Sequence, residues 1–331
     1  MKILITGGSG FIGTNFIELL ESKGLKDILN IDKARPLNSE QDKYWAECNI
    51  MSRDELLKVF QQYEPTHVVH LAAKTDTASE NLEDYFENTN GTANVLYAIE
   101  RTQSVKHTVI TSTQYVYKSN SKPLPDNDED FKPHTAYGIS KKITEELTRK
   151  SQMKCRWTII RPTNVWGPWN MRYPNELLKV IDRGLYFHPG KVNPVKSYAY
   201  VKNVAHQIMG ILTAPEDITH RQVYYVGDYP MSSLSWLNSF SRELKGGEVK
   251  SFPLSFLRLL SYAGDILKKM GIPFPLHSLR FKNMIDGYLT PMDKTISSFG
   301  LSHPDQQKNV HETITWARTA NSPMLNYWKN K

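Results

Sequence analysis

The stretch Ile3-Leu4-Ile5-Thr6-Gly7-Gly8-Ser9-Gly10-Phe11-Ile12-Gly13 decides the fold. An apolar run enters three glycines spaced G-x-x-G-x-x-G, and a helical pattern follows. Gly7 suits a tight turn, Gly10 a close approach of backbone to a pyrophosphate, and Gly13 a helix lying close on the strand. Phosphates would rest at the helix N-terminus, against Phe11 and Ile12, where free N–H groups and the helix dipole favour an anion. Three glycines alone match many loops. The strand before them, the helix after them and Asp32 about twenty residues on make the reading a dinucleotide cradle.

Outward from this cradle the pattern alternates. Phe11, Ile12, Phe16, Ile17, Leu19 and Leu20 predict a helix over Gly10–Ser22, with Gly24 as its stop. Asp27–Ile31 reads as a strand, Arg53–Tyr63 as a helix, His67–Ala73 as a buried strand entering a loop, and Asn90–Thr102 as a helix. His107–Ser112 is the next strand, residues 123–133 a loop, Tyr137–Met153 a helix, and Trp157–Arg161 a strand stopped by Pro162. Strands alternating with helices predict an α/β fold: a doubly wound parallel sheet, covered on both faces, with ligands at the carboxyl ends of its strands. The expected division is a dinucleotide-binding domain over 1–165, to which 198–227 returns, and a smaller, mixed substrate lobe from 166–197 and 228–331.

The totals narrow the chemistry. The chain has 331 residues, 40% hydrophobic and 23% charged, as in a soluble globular protein. Its two cysteines, Cys48 and Cys155, make neither a disulfide framework nor a metal cluster, so no metal is expected and a reducing cytoplasm suits them. The first strand starts at once, with no leader-like stretch, so no secretory signal is expected. A net charge of +7 favours an anionic partner. Without finger spacing or an Arg-rich block, a phosphorylated small molecule ranks above nucleic acid. Residues 252–274 are apolar but interrupted by Arg258, Asp265, Lys268 and Lys269, so they do not span a bilayer. They read first as a helix facing the core of the small lobe, and second as a basic amphipathic helix on a membrane.

Tyr137-Gly138-Ile139-Ser140-Lys141 sets a phenol and an ammonium one helical turn apart on one face. A nearby cation lowers a phenol's pKa, which would let Tyr137 act as acid and base. With this pair, the glycine cradle, His70-Leu-Ala-Ala73, Thr111-Ser-Thr113 before Val116-Tyr117, and Arg161-Pro-Thr-Asn-Val-Trp-Gly-Pro168, the chain resembles the extended short-chain dehydrogenase/reductases that act on nucleotide sugars.

The resemblance implies a Rossmann-type domain, with NAD as cofactor and NADP as the alternative. Thr113, Tyr137 and Lys141 would be catalytic. Gly7, Gly10, Phe11, Ile12, Gly13, Asp32, Lys33, Asn49, Ile50, Leu71, Ala72, Ala73, Asn90, Thr111, Ser112, Tyr137, Lys141, Arg161 and Pro162 would hold the cofactor. Position 49 carries Asn where most relatives have Asp. Thr75, Thr113, Gln114, Asn164 and Lys196 would meet a nucleotide-diphosphate sugar. Lys196 replaces the family's Arg and lacks its planar fork. Arg172 and Arg280 read first as surface salt-bridge residues. A homodimer through the helices near 90–102 and 137–153 is also implied.

Oxidation at sugar C4 opens several fates. A dehydratase of this family carries Asp-Glu directly after the Thr, and this chain has Gln114-Tyr115. Gln exchanges no proton near neutrality. An NDP-hexose 4-epimerase ranks first and an NAD(P)H-dependent 4-keto-sugar reductase second. Asp32 favours NAD, while Lys33 and Arg35 beside it could receive the 2′-phosphate of NADP. A steroid-type dehydrogenase at a membrane surface and a non-catalytic dinucleotide sensor stand further behind.

Overall fold

The structure is a computed structural model and describes residues 1–77, 79–118, 129–172, 177–190, 192–272, 274, 276–319 and 321–329. Residues 123–128 of the expected Pro- and Asp-rich loop lie outside the described residues. Seven strands form one sheet: β1 (Ile3–Thr6), β2 (Ile28–Asp32), β3 (Trp45–Glu47), β4 (His67–His70), β5 (His107–Thr111), β6 (Arg156–Pro162) and β7 (Gln222–Val226). They pair in the order β7-β6-β5-β4-β1-β2-β3, every pair parallel. The sheet is the expected Rossmann-type α/β fold.

The helices used below are α1 (Phe11–Ser22), α2 (Arg53–Tyr63), α3 (Thr92–Glu100), α4 (Ala136–Lys150), α5 (Val201–Thr213), α6 (Ser233–Lys245), α7 (Leu254–Lys269) and α8 (Ser278–Ile285). Alternation along β1 sends successive side chains to opposite faces. Ile3 and Ile5 pack with Phe16, Ile17 and Leu20 of α1 and Val204 and Ile208 of α5. Leu4 packs with Leu56 and Phe60 of α2 and Val95 and Ile99 of α3. Each fully buried aliphatic or Phe side chain contributes about 1.5–3 kcal/mol, so both faces of the sheet are held firmly.

The order of strands reverses between β1 and β4. Their carboxyl ends lie side by side, with Thr6 in register with His70. The Thr6 Oγ1 to His70 Nδ1 distance is 2.6 Å. A crevice at this point is where an open parallel sheet takes its ligand.

Tyr198–Tyr200 does not join the main sheet. It pairs with Asn164–Trp166 as a separate two-stranded ribbon, while α5 and β7 do return to the sheet. The second core is aromatic, with Trp166, Trp169, Tyr200, Phe240 and Trp316 buried around it. Tyr198 and Trp236 stack there at 4.4 Å between ring centroids.

Two expected helices differ. The helix expected over 90–102 is α3, Thr92–Glu100, which begins two residues later because a wide turn at Glu87–Gly91 leads into it. The segment over 252–274 contains α7, but α7 buries only Leu257, Ser261 and Gly264. It has a narrow packed edge and does not face a core.

Candidate active site

Gly7 has φ +74°, and a Cβ there would sit 2.4 Å from the backbone N of Ala72. The turn after β1 therefore slides beneath the end of β4 only as glycine. At Gly13 a Cβ would stand 2.5 Å from Gly8 Cα, so α1 rises directly off the turn. The first turn of α1 holds no acidic residue, and Gly10 gives it no side-chain cap. Its leading N–H groups and positive dipole end suit a pyrophosphate.

A cavity of about 1100 Å³ opens here, and Gly7, Gly10, Phe11, Ile12 and Gly13 form one wall. Asp32, Lys33, Asn49 and Ile50 lie along it as well. Asp32 Oδ1 accepts from the Ala34 N–H at 3.0 Å. Burial pushes the Asp32 carboxyl above its usual range, while backbone N–H groups of Ala34, Ser9 and Lys33 pull it back. Lys33 is ion-paired with Glu87. Arg35 meets Asp42 at 3.2 Å and lies over the Trp45 ring at 4.8 Å. The two cations beside Asp32 thus face carboxylates. These residues fit an adenosine ribose with free hydroxyls, as in NAD.

The opposite side carries the polar trio. Thr113 caps the short turn Gln114–Val116 and accepts from the Tyr115 N–H at 3.3 Å. Tyr137 enters at the first turn of α4, which is capped by the Thr135 hydroxyl accepting from Gly138 N–H at 3.0 Å. The Tyr137 phenol lines the cavity with Thr113 and is enclosed by Tyr85 and Tyr115, whose ring centroids lie 6.0 and 6.3 Å away. Burial raises the phenol's pKa well above its ordinary value, Thr113 opposes this, and the two tyrosines add to it.

Lys141 is buried, and its Nζ donates to the Thr111 carbonyl at 2.9 Å. Burial pulls the ammonium down to about 7, against the Glu145 carboxylate, which raises it. The expected lowering of the Tyr137 pKa by Lys141 is not what the structure shows: loss of hydration outweighs it for both groups.

Most sequence-derived positions share this cavity. Leu71, Ala72, Ala73, Thr75, Thr111, Ser112, Thr113, Tyr137, Lys141, Pro162, Asn164 and Lys196 all line it. Lys196 Nζ donates to the Asn283 carbonyl, and burial brings its ammonium down to about 8 against Asp286. Arg172 and Arg280 are exposed and also line the cavity.

Three positions do not reach it. Asn90 is exposed, and its Oδ1 accepts from the Thr89 hydroxyl at 3.3 Å. The wide turn rotates Asn88 inward instead. Asn88 accepts from Lys74 N–H at 2.8 Å, donates to Lys74 C=O at 3.0 Å and reaches the Ser140 hydroxyl at 3.0 Å. It therefore fixes the loop after β4 against α4. Gln114 is buried behind the wall, and its Nε2 donates to Asn164 Oδ1 at 3.2 Å, so it positions Asn164. Arg161 is buried in a two-pronged pair with Glu145 at 2.8 Å and 2.8 Å. It ties β6 to α4 and is not among the residues that line the cavity.

Glu145 is the residue that sequence reasoning missed. It follows Lys141 by one further helical turn, so the signal was Tyr137, Lys141 and Glu145 at successive i+4 spacing.

The sequence model of the NAD dependent epimerase/dehydratase family matches residues 3–227. The chain belongs to that family. Over 292 residues it is 30% identical to the N-acetyl-alpha-D-glucosaminyl-diphospho-ditrans,octacis-undecaprenol 4-epimerase of Escherichia coli O157:H7, covering 85% of this chain and 84% of that one. It is 28% identical over 218 residues to the GDP-6-deoxy-D-talose 4-dehydrogenase of Aggregatibacter actinomycetemcomitans, covering 64% and 70% of the two chains. Among solved structures, the UDP-glucuronic acid 4-epimerase of Bacillus cereus, in complex with UDP-glucuronic acid and NAD, superposes with a TM-score of 0.74. It is 18% identical and covers 96% of this chain and 99% of that one. This family member is thus an enzyme of the extended short-chain dehydrogenase type, and its homologues are NAD-dependent sugar 4-epimerases and related oxidoreductases.

Proposed function

We propose that the chain is a 4-epimerase of a diphosphate-linked hexose, an NDP-hexose in the first instance. The observation that carries this is one cavity lined on one side by the glycine cradle and Asp32 and on the other by Thr113, Tyr137 and Lys141. NAD, when bound, supplies a hydride acceptor at C4 and afterwards returns the hydride.

The protein's own part is proton handling and positioning. Thr113 holds the sugar O4, and Tyr137 takes the O4 proton as C4 loses hydride, leaving a 4-keto sugar. The ketone turns within the cavity, and Tyr137 returns its proton to O4 as hydride comes back to the other face. Lys141, held near 7, supplies the charge that steadies the phenolate. Asn164, Lys196, Arg172 and Arg280 line the same cavity and would meet the diphosphate. Elimination of water is unsupported, because Gln114 has no titratable group to serve as acid or base and is already bonded to Asn164. The cytoplasmic setting and a homodimer through α3 and α4 belong to the same proposal. Ile139, an exposed apolar residue on α4, fits such a contact, and a monomer by light scattering at micromolar concentration would contradict it.

The deciding experiment releases bound nucleotide from the purified protein and identifies it by mass spectrometry, then follows C4 inversion of nucleotide hexoses by NMR. About one NAD per subunit with inversion supports the epimerase. An empty protein that oxidises added NADH or NADPH with a 4-keto sugar replaces it with the reductase.

A further inference from the structure

Helix α7 presents an unusual outer face. Its inner edge is pinned. A Cβ on Gly264 would land 1.8 Å from the Leu276 carbonyl O, so α7 lies hard against the segment leading to α8. Asp265 caps α8 by accepting from the Ser278 N–H at 3.1 Å and from its hydroxyl. Arg258 lies over the Phe281 ring at 6.0 Å. The orientation of the helix pair is therefore set, and the opposite face points outward by construction.

On that face Phe256, Leu259, Tyr262, Ile266 and Met270 follow one another at helical spacing. They are 47%, 69%, 56%, 60% and 67% exposed. Leu279 of α8 is 64% exposed. Soluble monomers rarely leave so continuous an apolar stripe in water. Arg258, Lys268, Lys269 and Lys282 are exposed on the same two helices. Apolar residues together with basic ones on the same helix pair match an anionic lipid interface. Among the described residues no helix is long and apolar enough to cross a membrane, so the contact would be peripheral.

The same pair also builds the cavity. Leu257 and Leu260 of α7, and Arg280, Asn283 and Met284 of α8, line it together with Tyr137 and Gly10. A surface held by the outer face of α7 thus lies one helix thickness from the substrate space, about 10 Å.

We propose that the α7–α8 face docks on an anionic bilayer, so that the cavity receives a diphosphate-linked sugar carried by a membrane lipid. The docking stands on the surface alone, while the lipid-borne substrate rests on the epimerase reading above. The substrate in the name of the E. coli relative, a sugar diphosphate on undecaprenol, is of this chemical class.

The test is sedimentation of the full chain with vesicles of phosphatidylcholine containing phosphatidylglycerol, beside phosphatidylcholine alone. Binding should be stronger to the anionic vesicles, should weaken with salt, and should fall about tenfold or more in Leu259→Glu/Ile266→Glu. Lys268→Glu/Lys269→Glu should remove the anionic preference. Both pairs are exposed, and unchanged circular dichroism and thermal midpoint would show the variants folded. Absence of binding at low salt, or equal binding by the Leu259/Ile266 variant, overturns the docking. Loss of a dimer in that variant, with no vesicle binding by the parent protein, makes the stripe a subunit contact and overturns it too.

A second assay compares turnover of a polyprenyl-diphosphate sugar in vesicles with that of a soluble nucleotide sugar. Selective loss of the first in the Leu259/Ile266 variant supports the lipid-borne substrate. Equal turnover of the vesicle substrate by variant and parent overturns it. If the parent turns over neither sugar, the epimerase reading has failed, and the lipid-borne substrate with it, while sedimentation still decides docking.

Discussion

Arg161 and Glu145 form a bidentate ion pair with both side chains fully buried, Nε to Oε1 and a terminal nitrogen to Oε2 each at 2.8 Å. The pair ties β6 to the middle of α4, one turn beyond Lys141. The Ser112 hydroxyl adds a 2.6 Å bond to the same carboxylate, so the end of β5 is gathered into the same knot. Three segments that line the cavity are thereby held in one register.

Glu145→Gln takes the carboxylate from the buried Arg161, which keeps the Tyr225 hydroxyl, and from Arg149, 3.2 Å from the same carboxylate. Glu145→Gln should cost about 3–5 kcal/mol of stability, measured by urea unfolding. Replacing both partners, as Glu145→Gln/Arg161→Met, should recover much of that loss, because two desolvated charges disappear together. An NAD affinity that falls in Arg161→Met far beyond the fall in Glu145→Gln would instead mean that Arg161 touches the cofactor.

Tyr137→Phe removes the phenol that lines the cavity beside Thr113 and Lys141. Turnover should drop by about 10²–10⁴, the usual worth of a positioned acid–base group. The ring and its packing against Tyr85 and Tyr115 remain, so NAD content per subunit should be unchanged. Equal turnover by variant and parent would remove Tyr137 from the chemistry.

The parallel α/β alternation and the cradle were legible because glycine at 7 and 13 answers a local steric demand, and because strand and helix periods differ. The trio was legible because Tyr137 and Lys141 share one helix face. What was not legible depended on distant partners. Asn88 and Asn90 sit two residues apart, and only the wide turn at Glu87–Gly91 decides which points inward. Arg161 ends a strand beside the site, yet its partner sixteen residues earlier in the chain turns it away. The amphipathic pattern of α7 was clear, but period alone does not say which face the protein covers. Gly264 and Ser261, the small residues of the stripe's opposite face, were the available hint.

Cofactor choice turns on Asp32. Its carboxylate faces the cavity, while Lys33 and Arg35 are paired with Glu87 and Asp42. These pairs are exposed and weak, worth at most about 1 kcal/mol each, so they bias the choice without locking it. Asp32→Ala should weaken NAD more than NADP in calorimetric titration of protein stripped of nucleotide. Adding Glu87→Gln should release Lys33 and improve NADP further. Equal weakening of both dinucleotides by Asp32→Ala would show that Asp32 does not read the ribose.

His107 gives a pH test of the core of the sheet. It is fully buried on β5, with Nε2 2.9 Å from the Thr158 hydroxyl, and burial lowers its pKa from an ordinary 6.5 to about 3. Nearby Arg156, His67 and His220 push the same way. Between these values the unfolded chain binds a proton that the folded chain refuses. Stability from this group is therefore fully present above about pH 6.5 and is lost as pH falls toward 3, by about 1.4 kcal/mol per pH unit. His70, lowered to about 3, and His67, lowered to about 4, act in the same direction, while Asp228, raised to about 6 by burial, opposes them. The difference between parent and variant isolates one group from this sum. His107→Gln can keep a hydrogen bond to Thr158 and does not titrate, so it starts less stable at pH 7.5 and should close the gap as pH falls to 4.5. Urea unfolding across that range reads it directly. Parallel stability curves for the two proteins would mean that His107 is protonated in the folded state, and that the end of β5 admits water.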